Sequence, residues 1–387
     1  MQELRIGDMK VRLPIVQGGM GVAVSLSGLA SAVANAGGIG VISAAAIGMN
    51  EPDYMKNFPE ANKRALRKEI RMARNLTEGY LGVNIMMALT DHEALIKVAI
   101  EEKIDIIIMG AGLPLNIPAL ISGWDIDSSH TKLAIKVSSA KAARLIFQYW
   151  ASKHNRIPDA VVVEGPLAGG HLGFKKEELE KEPVPLETLI RETVSIIRPF
   201  EEKFGKEIPV IAAGGIYTGY DIFDIMQAGA KGVKLGTRFV TTHECDASIE
   251  FKESYIASKK EDITIIDSPV GLPGRAIYND FIGQIRMGKT KPFKCSWHCL
   301  SSCNFREAPY CIAQALFNAA RGKMEEGFAF SGTNGYKATR LQYVADVIEE
   351  LKFEYNIQEK LAASLKVPAF SEIFPFPAGA FCGCVHA

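Results

Sequence analysis

PVIAAGGI at residues 209–216 and GVKLGTRF at residues 232–239 decide the fold of this chain. Each opens as a short apolar run of the kind that forms a strand buried on both faces, and each breaks at glycine. A helix-like stretch over residues 218–229 separates them, so the two read as consecutive βα units. Glycine at such a turn lets the backbone approach a ligand closely and present its N–H groups, as an anion site requires. Paired turns of this kind late in a (β/α)8 barrel form that fold's usual phosphate grip. Gly214 and Gly215, with Gly236 and Thr237, are therefore a candidate clamp for a phosphorylated ligand.

Outward from these segments the same alternation runs back to the N-terminus. Strands are predicted at residues 14–18, 38–45, 80–87, 105–112, 132–138, 160–165, 209–214 and 232–236, with helical patterns between them. The runs are continuously apolar rather than alternating, which predicts burial on both faces. Eight βα units in about 240 residues match a TIM barrel. An open doubly wound sheet is the main alternative, but the first βα turn, QGGMG, is not GxGxxG and no acidic residue completes a dinucleotide fingerprint. The longest insertion, residues 166–185, carries the charge run KKEELEKE, which reads as a solvated lid or helix face. The alternation stops after about Ile263, and residues 271–275, Pro292 and a cysteine cluster read as loops. Helical patterns follow at 311–325 and 340–351, then an irregular tail from Val367. The expected organisation is a barrel over residues 1–262 and an irregular, partly helical C-terminal cap over 263–387.

Bulk properties exclude several classes. Lys+Arg and Asp+Glu each total 44 in 387 residues, so the chain lacks the electrostatic footprint of a nucleic-acid binder. No apolar run approaches the ~20 residues of a membrane span, and the N-terminus lacks the basic-then-apolar pattern of a signal peptide. Cysteines begin only at Cys245 and do not form a disulfide framework, which favours a reducing compartment. The expectation is a cytoplasmic protein acting on a small molecule; a homodimer is admitted by the sequence but not required.

In a barrel, chemistry gathers where strands end. The first strand ends at Gln17, Gly18, Gly19, Met20; such a turn either lets a planar ring lie against the backbone or is simply tight. The third and fifth strands end near Asn84 and Lys136. A lysine within the apolar run LAIKVS either offsets an anion, such as the pyrimidine edge of a reduced flavin, or pairs with a carboxylate such as Glu164. The sixth strand leads from Glu164 to the glycine-framed His171, whose ordinary pKa near 6.5 suits proton transfer at neutral pH. Cys295, Cys299, Cys303 and Cys311 form C-x3-C-x3-C-x7-C. On a helix the first three thiols would share a face and, with the fourth, hold an iron–sulfur cluster or zinc; otherwise they are buried free cysteines packing as small hydrophobes. Cys382 and Cys384 are possible extra ligands.

QGGMG after the first strand, GVN in the third, KVS in the fifth, GGH after the sixth, and AAGGI and GTRF in the last two resemble, in series, the nitronate monooxygenase family. That family includes the FMN-dependent enoyl-acyl-carrier-protein reductases. The resemblance covers residues 14–239. It implies a (β/α)8 barrel binding FMN at its C-terminal mouth. Gln17, Gly18, Gly19 and Met20 would lie along the isoalloxazine, and Asn84, Lys136 and Glu164 at its polar edge. Ala213, Gly214, Gly215, Gly236 and Thr237 would hold the phosphate. His171 matches the family's active-site histidine, although eight residues run from Glu164 through His171 where the family has EAGGH. Three readings follow: oxidation of alkyl nitronates with His171 as base; reduction of enoyl thioesters by NAD(P)H or an iron–sulfur donor; and a flavin-free barrel for a phosphorylated metabolite, with Lys136 as a Schiff-base lysine.

Overall fold

A computed structural model describes residues 1–181 and 183–365. Cys382, Cys384 and the irregular tail expected from Val367 lie outside the described residues. The strands in chain order are β1 (Leu4–Ile6), β2 (Met9–Val11), β3 (Ile15–Gln17), β4 (Gly40–Ser43), β5 (Leu81–Met86), β6 (Ile106–Gly110) and β7 (Lys132–Val137). They continue as β8 (Ala160–Glu164), β9 (Gly170–His171), β10 (Val210–Ala213), β11 (Gly232–Leu235), β12 (Ile263–Asp267) and β13 (Pro273–Ile277).

Eight of these form one parallel sheet in the order β3-β11-β10-β8-β7-β6-β5-β4. The sheet closes between β3 and the start of β4, where Gln17 N donates to Ile39 O and Ile39 N to Ile15 O, both at 2.9 Å. The protein is thus a (β/α)8 barrel, with all eight expected strands in place. Strands β4, β6, β8, β10 and β11 are buried at every residue, as their continuous apolar runs require.

The barrel interior is filled in layers. Val16, Val41, Ile108, Ala134, Val162 and Ile211 pack into one cluster with Leu4, Ile6, Met9 and Val11. Those last four belong to the β1–β2 hairpin, which plugs the N-terminal end of the barrel and so leaves the opposite end as the open mouth. The hairpin escapes notice in the sequence because its strands are only three residues long.

The C-terminal region departs from the expected division at residue 262. Helix Val344–Leu365 packs along helix Gly219–Gln227 and against helix Ser27–Asn35, taking the eighth position in the outer ring. It buries Val347, Ile348, Leu351 and Tyr355, and Gly219 is required where it crosses, since a Cβ there would strike the Leu351 carbonyl. The cap is therefore an excursion between β11 and its own barrel helix. Within it, residues 271–275 are not all loop: β12 and β13 form an antiparallel hairpin to which β9 adds. The charge run is a short exposed helix, Lys176–Glu180, matching the solvated face expected of it.

One carboxylate ties the first barrel helix to the end of the last βα unit. Asp246 accepts from the N–H groups of Leu26 at 2.7 Å, Gly28 at 3.0 Å and Leu29 at 3.2 Å, so it caps helix Ser27–Asn35 from more than two hundred residues away. Burial raises its carboxyl pKa, and these three donors oppose the shift. Asp246→Ala leaves the helix N-terminus uncapped in a buried place and should cost about 1–3 kcal/mol. The measurement is a urea midpoint lowered at unchanged m.

Candidate active site

The mouth of the barrel opens into a cavity of about 250 Å³ between the strand ends and the cap. On the barrel side, Gly18, Gly19, Met20 and Asn84 line one wall, and Gly214, Gly215, Gly236 and Thr237 another. Lys136, Glu164 and His171 also face it. The cap supplies Cys299, Leu300, Ile312, Leu316, Phe330 and Asn334.

The glycines are dictated by geometry. Gly214 and Gly215 hold φ of +96° and +85°, which turns the chain sharply after β10 and would strain any other residue. Gly18 passes so close to the neighbouring turn that a Cβ would lie 2.9 Å from Gly236 Cα. Residues 332–334 of the cap complete this wall: Gly332 N donates to Thr237 Oγ1 at 3.0 Å and Asn334 Nδ2 to Gly215 O at 2.6 Å. The buried hydroxyl of Tyr217, two residues beyond Gly215, makes no well-aligned hydrogen bond among the described residues, with the Arg238 guanidinium over its ring at 5.0 Å from the centroid. A cradle of bare backbone with an unanswered polar atom beside it fits a phosphorylated ligand such as FMN.

Two expected contacts fall elsewhere. Gln17 does not line the cavity: it is fully buried in the seam, where Val41 N donates to Oε1 at 2.8 Å and Nε2 donates to Gly18 O. Its amide serves barrel closure rather than a cofactor. Ala213 points into the packed barrel interior, below the cavity.

Lys136 and Glu164 form a two-pronged ion pair, Nζ lying 2.8 and 2.9 Å from the two carboxylate oxygens. The pairing with Glu164 is therefore present, and Lys136 also faces the cavity. Lys234 on β11 also lines the cavity and is 9% exposed. Lys234 is not among the expected site residues, yet a lysine inside GVKLG carries the same signal as the one inside LAIKVS.

His171 is placed by the β9–β13 ladder, where it pairs with Gly274. Its Nε2 is hydrogen-bonded to Ser268 Oγ at 2.7 Å, and the Phe330 ring meets it edge-on with centroids 5.0 Å apart. The loop leading to it is clamped by buried Arg275, which donates to Pro166 O at 2.7 Å and Ala168 O at 2.5 Å. This longer loop is what the extra residues after Glu164 build. Burial, with a smaller contribution from the Lys136 charge and against the pull of Glu164, lowers the imidazole pKa to about 4. At neutral pH His171 is uncharged.

The cysteines do not line up as a helix would place them. Residues 288–311 are irregular, and helix Ile312–Ala320 begins only after Cys311. Cys299 faces the cavity, and burial raises its thiol pKa to about 12. Among the described residues no group of three or more His, Cys, Asp or Glu side chains is arranged to hold a metal ion. All four are free thiols, gathered near one another, so that Cys311, Cys295 and Cys303 add to the rise of the Cys299 thiol. Among the described residues, no helix is long and apolar enough to cross a membrane.

The sequence profile of the nitronate monooxygenase family matches residues 2–354. The chain belongs to the nitronate monooxygenase family. A probable nitronate monooxygenase of Staphylococcus aureus is 28% identical over 308 residues, covering 72% of this chain and 78% of that protein. A (3aS,4S,5R,7aS)-5-hydroxy-7a-methyl-1-oxo-octahydro-1H-indene-4-carboxyl-CoA dehydrogenase of Rhodococcus jostii is 27% identical over 275 residues. That alignment takes in 71% of this chain and 65% of the relative, just under two thirds of its length. Among solved structures, FabK from Thermotoga maritima matches at TM-score 0.70 with 27% identity, covering 92% of this chain and 96% of that one. Nitroalkane oxidase from Streptomyces ansochromogenes, at 21% identity and TM-score 0.69 over 91% and 98% of the two chains, shares the fold. Membership of this family makes the protein an oxidoreductase.

The low pKa of His171 has a consequence for stability. Its folded value, about 4, lies below the ordinary 6.5, so between those pH values the unfolded chain binds a proton that the folded chain does not. Stability therefore rises with pH across this window and is lost on acidification, by up to about 3 kcal/mol. Unfolding free energies at pH 4.5 and 7 should differ more for the wild type than for His171→Gln.

Proposed function

We propose that this chain is an FMN-dependent oxidoreductase that oxidises alkyl nitronates. The observation that carries this reading is the meeting, in one cavity, of the glycine cradle, the Lys136–Glu164 pair and an uncharged His171. Gly214, Gly215, Gly236, Thr237 and Asn334 would hold the phosphate, and Gly18, Gly19, Met20, Asn84 and Lys136 the ring system. Bound there, FMN supplies an acceptor for substrate electrons and returns them to dioxygen.

His171 keeps an unprotonated imidazole at the cavity wall over the whole neutral range. Ser268 and Phe330 fix its plane, while Nδ1 makes no hydrogen bond among the described residues and is free to exchange a proton with substrate. So weak a base suits a nitronate, which arrives already ionised and does not require removal of a proton from a poorly acidic carbon. The apolar roof of Leu300, Ile312 and Leu316 would accommodate an alkyl group.

A second reading, reduction of an enoyl thioester with NAD(P)H, draws on the same roof. Together with Met86 and Leu89 it makes an apolar chamber suited to an acyl chain, and one relative is named for a CoA thioester. Anaerobic titration separates the two. Bleaching of the flavin by an alkyl nitronate, and not by NADH or NADPH, is expected; the reverse pattern transfers the assignment to the thioester reading. A colourless protein that takes up no FMN would favour the flavin-free metabolite barrel. His171→Ala should lower turnover by about 10²–10⁴-fold with FMN content unchanged. Loss of FMN from that variant would instead assign the histidine to cofactor binding.

A further inference from the structure

Lys234 is a charge that the site as described does not use. It is the third residue of β11, 9% exposed, and its side chain faces the cavity from the barrel side. Its register neighbours, Ala213 on β10 and Val16 on β3, offer no polar side chain. The carboxylate lining the cavity nearby, Glu164, already binds Lys136 through both oxygens. Among the described residues Lys234 makes no ion pair and no hydrogen bond through Nζ. Two ammonium groups and one carboxylate thus leave one uncompensated positive charge at the barrel end of the chamber. Burial, then the charge of Lys136, lowers the Lys234 pKa to about 8, with Glu164 partly opposing.

A buried ammonium without a partner is unfavourable, and its retention in a cavity points to an anion that arrives with a ligand. Lys234 rises from a barrel strand, as Lys136 and Glu164 do, whereas the roof belongs to the cap, so Lys234 faces what binds against the barrel. If FMN occupies the cradle, as proposed above, the group against the barrel is the cofactor. Two-electron reduction of a flavin with uptake of one proton leaves one added negative charge on the ring system.

We propose that Lys234 is a redox-tuning residue: its unneutralised charge stabilises the reduced, anionic form of the bound flavin, while Lys136 and Glu164 stand beside it as a neutral pair. The inference rests on the FMN reading and concerns a lysine that reading does not require.

The test compares full-length wild type, Lys234→Met and Lys234→Arg, each saturated with FMN. The readouts are FMN content, the dissociation constant for sulfite, which forms an anionic adduct with the flavin, and the two-electron midpoint potential. All three proteins should retain FMN. Lys234→Met should bind sulfite at least tenfold more weakly and show a midpoint potential lower by about 30 mV or more, the equivalent of tenfold for a two-electron couple. Lys234→Arg should stay within about threefold of wild type in sulfite affinity, since it keeps the charge. In the flavin-free protein, removing the unpaired ammonium should leave the melting temperature unchanged or raise it, whereas a purely structural lysine would lower it. Should the methionine variant fail to fold, Lys234→Gln serves the same comparison. An FMN-loaded neutral variant with wild-type sulfite affinity and potential overturns this inference alone. Wild type that takes up no FMN overturns the cofactor reading and this inference with it.

Discussion

The interior of a closed eight-stranded barrel has to be filled, and the rest of this structure follows from how that is done. Below, the β1–β2 hairpin seals one end with Leu4, Ile6, Met9 and Val11. In the middle, aliphatic residues from alternating positions pack against one another. At the top the filling stops being aliphatic: Asn84, Lys136, Glu164 and Lys234 take the inward positions, and glycines replace side chains at the turns above them. The hollow is thus a place where side chains have been withheld, and its floor carries charge. Charges so placed must be answered by one another or by a ligand, and only two of the three answer one another.

The second constraint is the roof. A barrel mouth by itself is a shallow dish, and here the chain leaves the barrel after β11, builds the cap, and returns as the eighth outer helix. That excursion delivers Ser268 and Phe330 to His171, Arg275 to the loop that precedes it, and Asn334 to the glycine turn at Gly215. His171 begins as a residue of the barrel and becomes a positioned, uncharged imidazole only because β13 pairs with β9 and the cap removes water from around it.

Much of the barrel was legible in the order of residues. Strands buried on both faces must be apolar throughout, so each of the eight stands out, and turns that hug a ligand or one another must be glycine, so QGGMG and AAGGI mark the mouth. Lys136 and Lys234 are legible by the same logic, as charges inside runs that otherwise exclude them. Gln17 was less so. An amide at a strand end suits a ligand or a seam equally well, and only the closeness of β4, which brings Val41 N to its oxygen, decides for the seam. The cysteine spacing differs for a related reason: thiols four residues apart share a face only on a helix, and the stretch around them is irregular, so tertiary packing rather than helical period brings the four near one another.

The sequence by itself therefore determined the barrel, the face on which its cavity opens, and some of the strand residues that line it, Asn84, Lys136 and Glu164 among them. These are local matters, set by period, burial and the absence of Cβ atoms. Tertiary structure alone decided the cap's path, the partners of His171, the role of Gln17, and the fact that Lys234 stands unpaired. Each of those depends on which groups from distant parts of the chain come within hydrogen-bond reach, and on how much water remains between them. Neither distance nor dielectric is written in the order of the residues.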